Sequence, residues 1–239
     1  MIFLGLDDTD TRETPGTNKL AMHLADLLAD DFETQWIVRH QLLEDPRVPC
    51  TNKNGCASLA LEPRGPYDLG ELAARIRAVM LPWCPEGSDP GLCLTERVPS
   101  AVCEWGRRAQ RELLCQADAL ALAHESDIYL EPLGGTGDGV VGALAAVGLL
   151  ATWNSGRVVY RGSAGADALE LGGRQAAHDI LARGVDEIVN LENRQTVRDG
   201  TVELAKRLRP NLREGRAVLF VTAGTQPGDA DWVAQRITA

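Results

Sequence analysis

The chain has 239 residues, 44% of them hydrophobic, and its 34 acidic and 24 basic residues give a formal net charge of −10. This composition is typical of a folded protein with one large or two ordinary domains. The acidic balance argues against broad, sequence-independent binding of nucleic acid, which depends on neutralising phosphates with Lys and Arg. No apolar run is long enough for a membrane span and no signal peptide is recognisable, so a cytoplasmic protein is predicted.

In the first half of the chain, hydrophobic periodicity predicts a ferredoxin-like βαββαβ unit, a split βαβ arrangement, followed by a further helix. The predicted strands span residues 2–4, 34–41, 56–61 and 91–95, and the predicted helices span residues 17–29, 69–80 and 100–117. Ser100 is the predicted cap of the last and longest of these helices.

In the second half, the pattern predicts strands at residues 128–130, 157–161 and 217–222 and helices at 140–150, 201–208 and 229–237. Residues 162–199 give no clear assignment. The 140–150 helix is apolar on every side. Because this helix and the 217–222 strand suit either a core or a subunit interface, a homo-oligomer is an open alternative.

The six cysteines contain no CxxC pair, and the four histidines are scattered along the chain. This spacing argues against a zinc ribbon, and reduced thiols are predicted for a reducing compartment. A disulfide between Cys50 and Cys56, or between Cys84 and Cys93, is the alternative.

An acidic loop directly follows the first predicted strand and carries Asp7, Asp8 and Asp10. Carboxylates this close repel one another unless a cation lies among them, and oxygen ligands of this kind suit Mg²⁺. The helix that begins near Thr17 offers free N–H groups to an anion, so the loop and helix together predict a site for ATP. The alternative is an acidic surface turn whose aspartates cap a helix.

A glycine-rich segment, GGTGDG at residues 134–139, lies between a predicted strand and the apolar helix. This arrangement can form a concave anion site from successive N–H groups. The segment is not a P-loop, since no Lys-Ser/Thr follows it, and the acidic residue of a dinucleotide fingerprint is missing. The alternative is a tight turn that lets a buried helix pack closely.

A polar loop at residues 47–55 precedes the second strand of a predicted hairpin and contains Lys53 and Asn54. It suits a phosphate or a base edge, and an ordinary polar loop is the alternative. The predicted nucleotide-binding residues are Thr9, Gly16, Lys19, Lys53, Asn54, Gly134, Gly135, Thr136, Gly137 and Gly139, and the predicted catalytic residues are Asp7, Asp8, Asp10 and Thr17.

Four segments in the same order resemble the archaeal tRNA-isoleucine agmatinylcytidine synthetases. They are LGLDDTDT with GTNKLA (residues 4–11 and 16–21), VPCTNKNGCASLAL (48–61), DPGLCL (89–94) and GGTGDGVVGALAAVGL (134–149). The resemblance implies an α/β protein of α+β type with an ATP-binding kinase-like domain at residues 1–125 and a ferredoxin-like domain at residues 126–239. The family's later oligonucleotide-binding barrel and zinc ribbon are not expected in this sequence.

In that family, ATP activates a cytosine oxygen by phosphorylation and the amine agmatine then displaces phosphate. The resemblance implies that Asp7, Asp8 and Asp10 hold the metal, that Thr17 can accept a phosphoryl group and that residues 134–139 form the glycine loop. We therefore expect an ATP- and Mg²⁺-dependent enzyme that phosphorylates a substrate oxygen, with amine ligation as an open second step.

The preferred acceptor is a small molecule, as in coenzyme biosynthesis, because the family's tRNA-binding modules are not expected in this sequence and its charge is acidic. Two alternatives are an RNA-modifying synthetase that acts with a partner subunit, and a nucleotide-binding module without catalytic activity. A patch that gathers Arg157, Arg161, Arg174 and Arg183 would favour the RNA alternative.

Overall fold

The computed structural model describes residues 1–48, 50, 53–164, 168–226 and 228–237. Within the polar loop at 47–55, Pro49, Thr51 and Asn52 therefore lie outside the described residues. All the predicted catalytic and nucleotide-binding residues lie inside them.

The described residues form twelve strands and six α-helices, which confirms the predicted α+β class. The strands are β1 (Ile2–Asp7), β2 (Phe32–Gln41), β3 (Gly55–Pro63), β4 (Gly91–Thr95), β5 (Tyr129–Pro132), β6 (Arg157–Arg161), β7 (Gly173–Ala176), β8 (Glu187–Asn190), β9 (Thr201–Leu204), β10 (Asn211–Arg213), β11 (Arg216–Ala223) and β12 (Trp232–Ala234). The helices are α1 (Thr17–Leu27), α2 (Leu69–Trp83), α3 (Ser100–Ala109), α4 (Gln116–Glu125), α5 (Gly139–Ala151) and α6 (Ala177–Ala182).

The strands pair in the order β5-β4-β1-β3-β2-β6-β10-β11-β12-β9-β7, and β8 pairs with β11. Within this path, β4-β1-β3-β2 is fully antiparallel. With α1 and α2 as crossovers, this is the ferredoxin-like strand order, which confirms the βαββαβ reading of the first half. This ferredoxin-like unit lies in the first half of the chain, whereas the family resemblance implied one at residues 126–239.

The two faces of this sheet are covered by different helices. One core cluster packs α1 and α2 against apolar residues of β1, β3 and β4, such as Leu4, Leu59 and Leu94. On the opposite face, the buried residues of α5 pack with α3 and α4. The apolar 140–150 helix and the 217–222 strand are therefore buried within the chain, as α5 and β11.

Contacts cross the boundary that was predicted at residues 125 and 126. β5 pairs with β4, and α5 packs closely on β1, where a Cβ atom at Gly5 would lie 2.1 Å from the carbonyl oxygen of Ala143. The two-domain division stays a prediction, and the acidic loop and the glycine-rich segment belong to one packed unit.

The long helix predicted from Ser100 to residue 117 is wrong, because the chain leaves the helix after Ala109. The carbonyl of Ala109 accepts the N–H of Leu43 (3.0 Å), and the Gln110 amide donates to the carbonyl of Gln41 (3.0 Å). These bonds tie the end of α3 to the segment after β2, and a new helix, α4, begins at residue 116. Ser100 forms no capping hydrogen bond, since the cap residue is Pro99.

The helices predicted at residues 201–208 and 229–237 are also wrong. Residues Thr201–Leu204 form β9, where Val202 and Leu204 are buried in alternation with their neighbours, and this period of two is the strand period. Part of the second segment forms β12, which pairs in parallel with β9. The unassigned segment contributes β7, α6, β8 and two 3₁₀ turns.

All six cysteines are free, which confirms the prediction of reduced thiols. Within the part of the chain that the structure describes, no helix combines the length and apolarity that a membrane span needs.

His40 on β2 predicts a specific loss of stability in acid. It is fully buried with Nε2 2.7 Å from the hydroxyl of Ser58, and burial followed by the charge of Arg39 lowers its pKa to about 3. Because the unfolded chain binds the proton below pH 6.5 and the folded chain does not, His40 makes the free energy of unfolding fall as pH falls from 6.5, at about 1.4 kcal/mol per pH unit.

Urea unfolding at a series of pH values is expected to show a shallower acid loss for His40→Gln than for the wild type. The control is His178→Gln, since His178 is exposed beside Asp179. Parallel profiles for the wild type and His40→Gln would contradict the assignment.

Candidate functional site

Ten of the fourteen predicted site residues meet at one cavity of about 1010 Å³ at the end of β1. Its walls come from the acidic loop, the start of α1, the segment before β3, the segment between α2 and β4 and the glycine-rich turn before α5. The predicted residues that line it are Asp7, Asp8, Asp10, Thr17, Lys53, Asn54, Gly134, Gly135, Thr136 and Gly139.

Asp7 and Asp8 form the acidic floor of the cavity. The carboxylate of Asp7 packs against Gly142 of α5, where a Cβ atom would lie 1.8 Å from Oδ2. Burial, followed by the charge of Asp8, raises the pKa of Asp7 to about 7. Burial, followed by the charges of Asp89 and Asp10, raises the pKa of Asp8 to about 6. These two carboxylates therefore resist being ionised together unless a cation joins them.

The donor set fits Mg²⁺ in the manner usual for nucleotide sites. Within the described ranges, no group of three or more His, Cys, Asp and Glu side chains is placed to hold a metal ion alone. Mg²⁺, however, is usually held by one or two carboxylates and completes its shell with phosphate oxygens and water. Asp7 and Asp8 line the cavity and form no ion pair among the described residues, so they can supply these carboxylates.

Asp10 has a different local role from its two neighbours, because it holds the start of α1. Its Oδ1 accepts the N–H of Thr17 (3.3 Å) and the hydroxyl of Thr17 (3.0 Å). The hydroxyl of buried Thr9 donates in turn to the hydroxyl of Thr17 (3.1 Å). The alternative in which an aspartate caps this helix therefore describes Asp10, and the same bonds orient the Thr17 hydroxyl beside the cavity.

The glycine-rich turn is organised around Asp89, a residue that the sequence analysis did not select. Asp89 Oδ1 accepts the N–H of Gly137 (2.7 Å), Oδ2 accepts the N–H of Asp138 (3.2 Å), and the hydroxyl of Thr136 donates to the same carboxylate. Successive N–H groups of the turn bind a carboxylate, which is the kind of anion contact that such a turn can make. In this structure the anion is a side chain of the protein itself.

Glycine is required in this turn by close contact as well as by conformation. Gly135 and Gly137 have φ values of 59° and 88°, in the left-handed region. A Cβ atom at Gly139 would lie 1.9 Å from the carbonyl oxygen of Asp89. The sequence did contain a signal for Asp89. It lies in the Asp-Pro-Gly segment at residues 89–91, which belongs to one of the four segments of the family resemblance.

Asp89→Ala is expected to lower the free energy of unfolding by about 2 kcal/mol, because it leaves two N–H groups and a hydroxyl without their charged acceptor. This corresponds to a fall of about 4–8 °C in melting temperature for a chain of this size. Asp138→Ala is the matched control, since Asp138 is exposed and its side chain forms no capping bond. Equal melting temperatures for Asp89→Ala and the control would show that Asp89 does not hold the turn.

The remaining predicted residues lie around the cavity with varied roles. Lys53 lines it and pairs with Glu44 (3.4 Å), and the amide of Asn54 donates to the carbonyl of Leu43 (2.8 Å). Gly16 is the cap residue of α1 and Lys19 is exposed on its first turn. Gly16 and Lys19 are not among the described residues that line the cavity.

The apolar residues that line the cavity, called here the apolar wall, were not predicted. They include Leu42, Leu43, Leu81, Leu113, Leu133 and Val141. Leu113 is available for this wall because the chain leaves the helix after α3. A cavity lined by both acidic and apolar residues suits a ligand that has both phosphates and a flat or aliphatic part.

No family model and no curated protein matches this sequence. Among solved structures, the chain is similar to a tRNA fluorescent labeling enzyme and to TiaS, the tRNAIle2 agmatidine synthetase, in a complex with tRNA(Ile2) and ATP. Both have 25% identity and a TM-score of 0.55 over 62% of this chain, which is 35% and 36% of theirs.

A TiaS–tRNA(Ile2)–AMPCPP–agmatine complex matches 98% of this chain and 59% of its own, with 18% identity and a TM-score of 0.55, and shows the shared fold. The chain thus spans less than two thirds of the length of these structures. The resemblance that the motifs suggested is confirmed at the level of structure.

Proposed function

We propose that this chain binds ATP with Mg²⁺ in the cavity and transfers a phosphoryl group to an oxygen of a nucleotide in RNA, as the first step of an amine ligation. The observation that carries the proposal is the meeting of Asp7 and Asp8 with the start of α1 and the glycine-rich turn at one cavity. Two carboxylates beside the start of a helix are an arrangement that suits a metal–triphosphate ligand.

Asp7 and Asp8 would hold Mg²⁺, which supplies neutralising charge to the phosphate oxygens when it is bound. The start of α1 would direct its N–H groups at a phosphate. Lys53, on the rim, would contact phosphate oxygens after releasing Glu44, an exposed and weak ion pair. The apolar wall would hold the base and exclude water.

Thr17 would receive and pass on a phosphoryl group. Its hydroxyl donates to Asp10 Oδ1 (3.0 Å) and accepts from Thr9 (3.1 Å), so its remaining lone pair is directed by two fixed partners. Asp10 would accept the hydroxyl proton as the Thr17 oxygen attacks a phosphorus of ATP and the rest of the nucleotide leaves, which is the role of a general base. In this proposal the metal carboxylates and the base are different residues.

An RNA acceptor is better supported than the small molecule that the charge suggested. One of the similar TiaS structures is a complex with tRNA(Ile2) and ATP. A small-molecule acceptor, as in coenzyme biosynthesis, is the second candidate, since a cavity of about 1010 Å³ accommodates a nucleotide and a further small ligand.

The test is incubation of the purified chain with ATP, Mg²⁺, agmatine and a total tRNA fraction, with mass spectrometry of the nucleotides and of the digested RNA. ATP consumption that requires RNA, together with a modified nucleoside, supports the proposal. ATP consumption without RNA favours the small-molecule candidate. Binding of ATP without any product leaves a nucleotide-binding module and contradicts both enzymes.

A further inference from the structure

We propose that an arginine cluster beside the cavity binds the phosphodiester backbone of RNA. The cluster consists of Arg39, Arg157, Arg207, Arg209 and Arg236. This proposal rests on the proposed function for the identity of the polymer, whereas the geometry of the cluster is independent of ATP.

The sheet brings these arginines together from four separate segments of the sequence, one of which carries both Arg207 and Arg209. Arg39 on β2 and Arg157 on β6 are direct cross-strand partners. Arg157 pairs in turn with Asn211 on β10, whose amide donates to the carbonyl of Ile237 (3.1 Å) and so holds the segment with Arg236 beside it. The N–H of Val158 donates to Pro210 (2.9 Å), which places Arg209 next to Arg157.

The charges of the cluster are poorly compensated within the protein. Arg207 pairs with Glu170 (3.2 Å), and Arg39 contacts the neutral amide oxygen of Gln41 (3.4 Å). Among the described residues, Arg157, Arg209 and Arg236 form no ion pair, although the chain has ten more acidic than basic residues. Like charges opposite each other on paired strands oppose folding, so this arrangement favours a bound anion.

The electrostatics of Arg157 agree with this geometry. Burial, followed by the charges of Arg209, Arg39, Arg236 and Arg207, lowers the pKa of Arg157 to about 10. Burial, followed by Arg236, Arg207 and Arg39, also lowers the pKa of Arg209. An anion that bridges these groups would reverse both effects, since it favours the charged form.

A polymer of phosphates fits the cluster better than one phosphate. Five guanidinium groups lie on β2, on β6 and on the segments beside β10. They offer several separate bidentate hydrogen-bond donors, which suit successive phosphates of a polynucleotide chain. At one end, Arg39 reaches the cavity, because a Cβ atom at the cavity-lining Gly55 would lie 2.5 Å from its guanidinium nitrogen. A strand bound along the cluster therefore leads towards the cavity.

The cluster differs from the patch expected from the sequence. Of the four arginines named there, only Arg157 belongs to it. Arg161 pairs with Asp186 (2.7 Å) and lies over the ring of Trp36, and Arg174 pairs with Glu203 (3.5 Å).

The experiment measures fluorescence anisotropy of a labelled RNA hairpin with the full chain, without ATP, over a series of salt concentrations. The double variant Arg157→Gln/Arg209→Gln is expected to bind at least about 10-fold more weakly at low salt, with a salt slope reduced by about 2. The matched control is Arg75→Gln/Arg216→Gln, which removes the same charge from arginines paired with Asp31 and Glu187.

Weak binding by the double variant together with near wild-type binding by the control supports the cluster. Equal losses in both, no RNA binding by the wild type, or binding of inorganic tripolyphosphate alone would overturn it. Thermal unfolding is the check that the variants fold. The double variant is expected to be at least as stable as the wild type, because repulsion between the arginines is relieved.

AMPCPP binding, measured separately by calorimetry, separates the two proposals. RNA binding through the cluster without AMPCPP binding would reject the proposed function alone. AMPCPP binding without RNA binding would reject the cluster alone.

Discussion

Asp8→Asn is expected to lower ATP turnover by at least about 100-fold while the protein stays folded. Asp8 faces the cavity and, with Asp7, supplies the carboxylates proposed for Mg²⁺. Asparagine also readily adopts the backbone conformation of this position, whose φ of 47° lies in the left-handed region. The measurement is the initial rate of ATP consumption in the presence of Mg²⁺ and the tRNA fraction.

The same substitution is expected to raise stability when divalent cations are absent. Because the folded-state pKa of Asp8 is raised to about 6, the folded chain binds a proton that the unfolded chain has lost, and the free energy of unfolding falls as pH rises from about 4 to 6. The amide introduced by the substitution carries no such charge. A higher melting temperature for Asp8→Asn at pH 8 in EDTA would demonstrate this repulsion.

Asp31→Asn is the control, because Asp31 is exposed, pairs with Arg75 and lies away from the cavity. It should leave both turnover and the response to EDTA unchanged. Unchanged turnover in Asp8→Asn would remove the metal assignment from this loop. Lower stability of Asp8→Asn in EDTA would show that Asp8 is held by bonds that its neighbours supply.

The sequence predicted the first half of the fold well because its elements follow single, uninterrupted periods. The βαββαβ order needs only the alternation of strands and amphipathic helices, and each of these elements begins near a clear turn signal. The prediction that the acidic loop and the glycine-rich turn act together followed from chemistry, since both are suited to a metal–phosphate ligand. Their meeting at one cavity depends on α5 packing against β1.

Features that depend on contacts between distant segments were not predictable. Asp89 acts on the glycine-rich turn across 47 to 49 residues of sequence. α3 ends because the segment after β2 uses the carbonyl of Ala109. The arginine cluster arises from cross-strand register between β2, β6 and β10, which the sequence alone does not determine.

Strand β9 shows a related limit. Residues 201–208 contain enough apolar positions to satisfy a helical spacing, and only the pairing of β9 with β7 and β12 decides for the strand. Short segments of this kind fit both periods, so tertiary contacts select between them.

Alanine substitutions at two glycines of α5 are expected to have different effects, one mainly on the stability of the fold and the other mainly on the activity of the site. A Cβ atom at Gly148 would lie 2.0 Å from the carbonyl oxygen of Val102 in α3, a backbone atom that moves only if the helices separate. Gly148→Ala is therefore expected to lower the free energy of unfolding by about 3 kcal/mol and the melting temperature by about 6–12 °C. The measurement is thermal and urea unfolding.

Gly142→Ala is expected to lower ATP turnover with little loss of stability. Its Cβ atom would meet Oδ2 of Asp7 at 1.8 Å, which is the end of a side chain that can rotate away. The stability loss should be small, since alanine also favours a helix over glycine by about 1 kcal/mol. ATP turnover should nevertheless fall by about 10-fold or more, because the displaced carboxylate no longer faces the metal position.

Gly70→Ala in α2 serves as the control for helix propensity, because this glycine is exposed and its nearest neighbour is a side-chain oxygen of Asp68. It should be neutral or slightly stabilising and keep full turnover. If Gly142→Ala unfolds as readily as Gly148→Ala, Asp7 is fixed by the packing of α5 and cannot adjust to a ligand. If Gly142→Ala keeps full turnover, the position of the Asp7 carboxylate does not matter for activity, and the proposed role of this helix in the site fails.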